Sequence, residues 1–211
     1  MRFANRSEAA AMLAARLDSW RGHRPLVLGV PRGAVPMARD IASALDGDLD
    51  VVLVRKLRAP GHEELAIGAV DESGHVLVTA HAGNAAVDDA YLAAEVETQL
   101  ATLRARRRDY TPLRPALDPA GRIVIVVDDG IATGATMLAA VRALRERSPA
   151  RIIIATPVAP PETVRRLSAE ADEVVCLSTP PDFYAVGQFY EDFAEVPDTA
   201  VKEALSRPAP V

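Results

Sequence analysis

Five short, almost wholly apolar runs constrain the fold most: Leu26–Val30, Val51–Arg55, Arg122–Val127, Arg151–Thr156 and Glu173–Leu177. They lack the strict apolar–polar alternation of a strand with one wet face. Between them lie stretches of helical character, at Val35–Leu45, Gly134–Arg147 and from Pro161 to about Ala171. Strands apolar on both faces, alternating with helices, predict an α/β fold with a mostly parallel sheet covered by helices on both sides. A helix is expected over Ser7–Trp20, with Ser7 as N-cap and Leu13, Leu17 and Trp20 on one face. A long helix is expected over Asp88–Asp109 and a short one near Asp198–Leu205. Ala66–Val70 and Val76–Thr79 read as a hairpin around Glu72-Ser73-Gly74, whereas residues 57–65 read as a polar, turn-like loop broken at Pro60-Gly61. In such sheets ligands bind at the carboxyl ends of the strands. The residues that matter are therefore those just after Val30, Arg55, Val127 and Leu177.

Composition narrows the class. A chain of 211 residues, 49% hydrophobic and 25% charged, suits one globular domain over residues 1–211. A net charge of −5 argues against broad nucleic-acid binding. Arg104, Arg106, Arg107 and Arg108 read as a solvated face at the negative end of a helix. One cysteine, Cys176, lies in an apolar run and reads as a reduced core thiol, and zinc spacing is absent. No apolar run approaches the ~20 residues needed to span a bilayer. The N-terminal stretch lacks a signal-peptide core, so a cytoplasmic location is expected. Of 24 basic residues only Lys56 and Lys202 are lysines, which draws attention to Lys56.

The chemistry concentrates in Ile125-Val126-Val127-Asp128-Asp129-Gly130-Ile131-Ala132-Thr133-Gly134-Ala135-Thr136-Met137. An apolar strand delivers two adjacent carboxylates, and a loop of small residues and hydroxyls then enters a helix N-terminus. Backbone N–H groups and the helix dipole favour a phosphate there. Thr133 and Thr136 supply hydroxyl donors, and Gly134 lets the backbone approach a ligand closely. Asp128 and Asp129 suit ribose hydroxyls or, through water, a magnesium ion.

This segment resembles the 5-phosphoribosyl-1-pyrophosphate (PRPP) motif of the type I phosphoribosyltransferases. The resemblance implies that family's fold, with a core over about 22–178 and a hood from about 1–21 and 179–211. It implies Mg2+ as cofactor, a homodimer, and PRPP plus a small-molecule acceptor as partners. Asp128 and Asp129 would hold the ribose 2- and 3-hydroxyls and approach the metal. Ala132, Thr133, Gly134, Ala135 and Thr136 would cradle the 5-phosphate. Val30-Pro31-Arg32-Gly33-Ala34 resembles the pyrophosphate loop of the family, which often holds a non-proline cis peptide; Arg32 and Gly33 would grip pyrophosphate.

Arg55 and Lys56 resemble the pair that precedes the mobile loop of the orotate enzymes, and residues 57–65 match that loop by position. His62 or Glu63 would then serve as acid or base. The aromatic-rich stretch Pro181–Phe193 resembles the hood of hypoxanthine-guanine enzymes, with Tyr184 near the base-stacking position and Asp192 or Glu191 near magnesium. Two departures bear on the acceptor. Ala132 stands where those purine enzymes carry an aspartate, and Glu170–Glu173 holds no lysine for an oxopurine. The resemblance implies transfer of the phosphoribosyl group to a nitrogenous acceptor. A PRPP-sensing or RNA-binding regulator, or a phosphosugar hydrolase, remains the alternative on the same fold.

Overall fold

The structure, a computed structural model, describes residues 1–78, 87–112 and 115–206, and their side chains apart from those of 62–66. The chain runs α1 (Arg6–Arg16), β1 (Leu26–Gly29), α2 (Ala34–Ala44), β2 (Asp48–Val51), β3 (Val54–Ala59), β4 (His62–Asp71), β5 (Val76–Val78) and α3 (Asp89–Tyr110). It continues with β6 (Ile123–Val127), α4 (Ala135–Arg145), β7 (Arg151–Val158), α5 (Pro161–Ser168), β8 (Glu173–Ser178) and α6 (Asp198–Ser206). Five strands form a parallel sheet in the order β2-β1-β6-β7-β8. β3, β4 and β5 form a separate antiparallel sheet.

The apolar runs are explained by two cores. Successive residues of a strand face opposite ways. Val27, Ile125, Val127, Ile153 and Ala155 pack with Leu13 of α1 and Met37 and Ile41 of α2. Their neighbours Leu26, Leu28, Val124, Val126, Ile152 and Ile154 pack on the other side with Met137, Val141 and Leu144 of α4 and Leu167 of α5. A third cluster joins Leu57, Ile67 and Val70 of the small sheet to Leu103 and Tyr110 of α3 and Val201 and Leu205 of α6.

Several sequence expectations are corrected. The run Val51–Arg55 is not one strand: β2 ends at Val51, and β3 starts at Val54 in the other sheet. β2 begins earlier, at Asp48, because its acidic residues are satisfied by distant arginines that an apolar pattern cannot reveal. Asp48 accepts from Arg122 at 2.6 Å, and Asp50, 1% exposed, accepts from Arg107 at 2.6 Å. Residues 57–65 are not an irregular loop. They lie in the β3–β4 hairpin, which turns at Pro60-Gly61, with Gly61 at φ +70°. The one hairpin that was expected forms between β4 and β5; Thr79 lies outside the described residues. α1 is capped by Asn5, whose side chain accepts the Glu8 N–H at 3.0 Å, rather than by Ser7. It stops at Arg16, and Trp20 belongs to a separate short turn over Asp18–Trp20.

The reading of the α3 arginines as a solvated face holds for Arg104, Arg106 and Arg108 but fails for Arg107. Arg107 donates to Asp50, to both carboxylate oxygens of Glu72, and to the Val51 carbonyl at 3.1 Å. Asp50 also accepts the Leu117 N–H at 2.9 Å. One guanidinium thus ties α3 to the edge of the main sheet and to the end of the small one. Arg107→Met would remove the guanidinium that donates to both Asp50 and Glu72. It is expected to lower stability by ~3–5 kcal/mol in urea unfolding, against less than ~0.5 kcal/mol for Arg104→Met. Equal effects would refute the structural role of Arg107.

Candidate active site

The order in which strands are added to the main sheet reverses between β1 and β6. From β1 the chain goes outward to β2, and it later returns to add β6 on the other side of β1. At such a switch point a crevice opens beyond the carboxyl ends of the strands. Two loops enter it. Val30 N–H bonds the Val127 carbonyl at 2.9 Å, and Asp128 N–H bonds the Ala155 carbonyl at 3.1 Å, so each loop leaves from a position fixed by the sheet ladder. The Pro31–Arg32 peptide bond is cis, as the resemblance implied.

The loops touch. A Cβ placed on Gly33 would lie 1.9 Å from Oδ2 of Asp129, so any side chain at 33 would displace that carboxylate. Gly134, at φ +70°, caps α4 in a left-handed conformation that a Cβ disfavours. A Cβ there would also come within 2.9 Å of Thr163.

Charge in the crevice is only partly matched. Asp129 Oδ2 accepts from Arg6 Nε at 2.8 Å, and both side chains are largely buried. Arg6 also donates to the Ala194 carbonyl at 2.7 Å and lies 3.9 Å over the Phe193 ring. Burial raises the Asp129 carboxyl above its ordinary value, and Arg6 offsets part of that rise. Burial and, after it, the neighbouring Asp129 charge push Asp128 well above the usual carboxylate range. The Asp129 N–H, 3.0 Å from Asp128 Oδ1, opposes this. Arg32 forms an ion pair with Glu195.

The chain termini cover this region together. Phe3 N–H bonds the Phe189 carbonyl and Glu191 N–H bonds the Phe3 carbonyl, both at 2.8 Å. The Tyr190 hydroxyl donates to the Asp129 carbonyl at 2.6 Å, and Phe193 stacks on Tyr190 with ring centroids 4.8 Å apart. Beneath them lies a cleft of about 440 Å³, lined by Arg6, Arg32, Gly33, Asp129, Phe193 and Glu195 among others.

Of the residues singled out from sequence, Arg32, Gly33 and Asp129 meet here; Asp128 precedes Asp129 in the same loop without lining the cleft, and Ala132–Thr136 continue from that loop into α4. Lys56 and Arg55 part company, as neighbours on a strand must. Lys56 lines a cavity of about 140 Å³ shared with Ala135 and Leu138 of α4. Arg55 sits on the α3 side, where burial, then Arg106 and Arg58, lower the pKa of its guanidinium. The side chains of His62 and Glu63 lie outside the described residues. Tyr184 is 90% exposed on the covering segment and does not line the cleft. Asp192 is exposed and accepts the Ala194 N–H at 3.1 Å. Among the described residues no three His, Cys, Asp or Glu side chains gather as a metal cage. Arg6, Tyr190, Phe193 and Glu195 were not legible as site residues, because no local motif links them to Asp129 or Arg32.

Comparison with known proteins identifies the family. The family model for the phosphoribosyl transferase domain matches residues 4–194, and the chain belongs to that family. It is 42% identical over 212 residues to a Mycobacterium tuberculosis protein provisionally named a phosphoribosyl transferase. That match takes in 97% of this chain but only 46% of the relative, so the chain spans about half the relative's length. TT1426 of Thermus thermophilus, a crystal structure, is 47% identical and superposes with a TM-score of 0.88, covering 97% of this chain and 98% of that one. A purine phosphoribosyltransferase of Pyrococcus horikoshii shares the fold at 18% identity and TM-score 0.50, covering 91% and 93%.

The raised Asp128 carboxyl has a consequence for stability. The folded state holds its proton more tightly than the unfolded chain, whose aspartate titrates near pH 4. Stability is therefore full below that pH and falls as pH rises toward the raised folded value. Asp128→Asn removes the buried charge and keeps the acceptor for the Asp129 N–H. The variant is expected to melt higher than the parent protein at pH 8, with the gap closing toward pH 4, by calorimetric scanning. A lower midpoint at pH 8 would contradict this.

Proposed function

We propose that this chain binds PRPP with Mg2+ in the crevice and transfers the 5-phosphoribosyl group to a nitrogenous acceptor, a nucleobase or related amine, with release of pyrophosphate. One observation carries the reading: the Arg32-Gly33 loop and the Asp128-Asp129 pair are in contact at the switch point, with the phosphate-type loop running on from the same carboxylates. An anion grip, two hydroxyl acceptors and a helix N-terminus are thereby in reach of one sugar phosphate.

In the proposed reaction the acceptor nitrogen bonds to C1 of the ribose. The bond from C1 to the pyrophosphate oxygen breaks, and its electron pair leaves with pyrophosphate. The proton on the acceptor passes to a base, for which His62 and Glu63 are the candidates. Asp128 and Asp129 accept from the ribose hydroxyls and orient C1. Once bound Mg2+ holds them ionised, their negative charge would also favour the cationic sugar of the transition state. Arg32 exchanges Glu195 for the pyrophosphate, and Lys56, beside Ala135, adds charge next to the 5-phosphate loop. Arg55 belongs to the α3 side and is given no contact in this scheme.

The donor set fits Mg2+ of a particular kind. Two adjacent carboxylates, with no third protein ligand gathered beside them among the described residues, suit an ion that arrives on the phosphates of the ligand rather than one caged by protein. When bound it would neutralise charge on the departing pyrophosphate. In this reading residues 1–21 and the described part of 179–211 would act as the hood, with Tyr184 available to stack on an acceptor and Asp192 at its rim; 207–211 lie outside the described residues. A cytoplasmic homodimer is part of the same reading. Among the described residues no helix is long and apolar enough to cross a membrane.

Calorimetric titration of PRPP is expected to show binding that depends on Mg2+, and pyrophosphate should be released with one member of a panel of nucleobases and amines. Asp128→Asn with Asp129→Asn should abolish binding and leave the circular dichroism spectrum unchanged. Normal PRPP binding by that double variant would sink the assignment. Binding without release on any acceptor would favour a PRPP-sensing protein instead. Glu195→Gln frees Arg32, and should tighten inorganic pyrophosphate about two- to fivefold at low salt, an advantage that salt erodes. Weaker binding by this variant would mean that Glu195 serves the anion rather than competing with it.

A further inference from the structure

The loop assigned above to the 5-phosphate is held from outside by α5. Ile131 N–H bonds the Val158 carbonyl at 2.9 Å, which anchors the start of the loop just before α5 begins. Thr163, a buried polar residue, donates its hydroxyl to the Ala132 carbonyl at 2.7 Å. Arg166, three residues further along the same helix face, donates to the Thr133 carbonyl. Two consecutive carbonyls of the loop are thus both taken by α5 side chains.

A planar trans peptide points its C=O and the next N–H in opposite directions. Holding the Ala132 carbonyl against α5 turns the Thr133 N–H away from α5. Holding the Thr133 carbonyl does the same for the Gly134 N–H. Among the described residues neither of these N–H groups donates to a backbone carbonyl. The left-handed Gly134 completes the turn, and the space its Cβ would need is already filled by the Thr163 methyl group. The Arg166 guanidinium is itself exposed and lies 3.5 Å from that same Cβ position, so it sets a positive charge beside the loop.

We propose that Thr163 and Arg166 are positioning residues for the 5-phosphate: they fix two loop carbonyls so that the Thr133 and Gly134 N–H groups face the phosphate. The inference rests on the PRPP reading of the crevice. It makes α5 responsible for one end of the ligand only. The pyrophosphate end, gripped by Arg32 and Gly33, belongs to other elements.

That asymmetry gives the test. Ribose 5-phosphate and inorganic pyrophosphate are titrated separately into the 211-residue chain and into Arg166→Met, Arg166→Lys and Thr163→Val, with thermal unfolding as the control for folding. Arg166→Met should weaken ribose 5-phosphate by about tenfold or more, as expected for loss of a charge-assisted contact, and leave pyrophosphate within about twofold. Arg166→Lys should recover part of the loss, since its ammonium keeps the charge and one donor. Thr163→Val should weaken ribose 5-phosphate with the same selectivity. Unchanged ribose 5-phosphate affinity in Arg166→Met, or an equal loss for both ligands, would overturn the inference and leave the PRPP reading standing. A parent protein that binds pyrophosphate but not ribose 5-phosphate would show that the loop is not a phosphate site, which overturns the inference too. A parent protein that binds neither ligand, nor PRPP, would overturn the PRPP reading itself.

Discussion

The contact between Gly33 and the Asp129 carboxylate is the constraint on which the rest of the structure turns. It exists only because β1 and β6 are adjacent and parallel, so that the loops following them leave the sheet side by side. It needs a residue without a Cβ at position 33 and a short acidic side chain at 129. The two apolar cores on the faces of the sheet hold β1 and β6 in register, and the ladder bonds from Val30 and Asp128 carry that register into the loops. The position of the carboxylate is thus set by packing well away from it.

Bringing two carboxylates into a mostly buried crevice is unfavourable, and the surrounding structure offsets only part of the cost. Arg6 compensates Asp129, while Asp128 keeps a carboxyl pushed upward by burial and by its neighbour. Arg32 and Glu195 add a second pair across the same cleft. Such local conflict is typical of sites shaped by ligand chemistry rather than by folding. A ligand that brings hydroxyl donors to Asp128 and phosphate to Arg32 would satisfy groups that the free protein satisfies incompletely or with its own side chains. The hood takes part directly, since Arg6 and Glu195 both lie in terminal segments of the chain.

How much of this was legible in the sequence follows from where the interactions lie along the chain. The segment Ile125–Met137 was readable because strand, carboxylates, phosphate loop and helix are contiguous. The loop at Pro31-Arg32-Gly33 was readable because it follows an apolar strand. The partners were not: Arg6 is 123 residues from Asp129, and Glu195 is 163 residues from Arg32. Strand β2 was misplaced because Asp48 and Asp50 break the apolar pattern, and only the fold supplies Arg122 and Arg107 to balance them. The hairpin at 57–65 looked like a loop because its short strands are polar and Pro60-Gly61 dominates the local signal. Adjacent Arg55 and Lys56 looked like one functional pair, and the strand pleat sent them to different helices.

The most direct measurement is a crystal structure of the chain with PRPP and Mg2+. If the crevice is a PRPP site, the pyrophosphate lies against Arg32 and Gly33, the ribose hydroxyls lie on Asp128 and Asp129, and the 5-phosphate is held by the N–H groups of the loop over Ala132–Thr136. Glu195 would then have left Arg32. PRPP bound elsewhere on the chain, or a crevice still closed by the Arg32–Glu195 and Arg6–Asp129 pairs at saturating ligand, would contradict it.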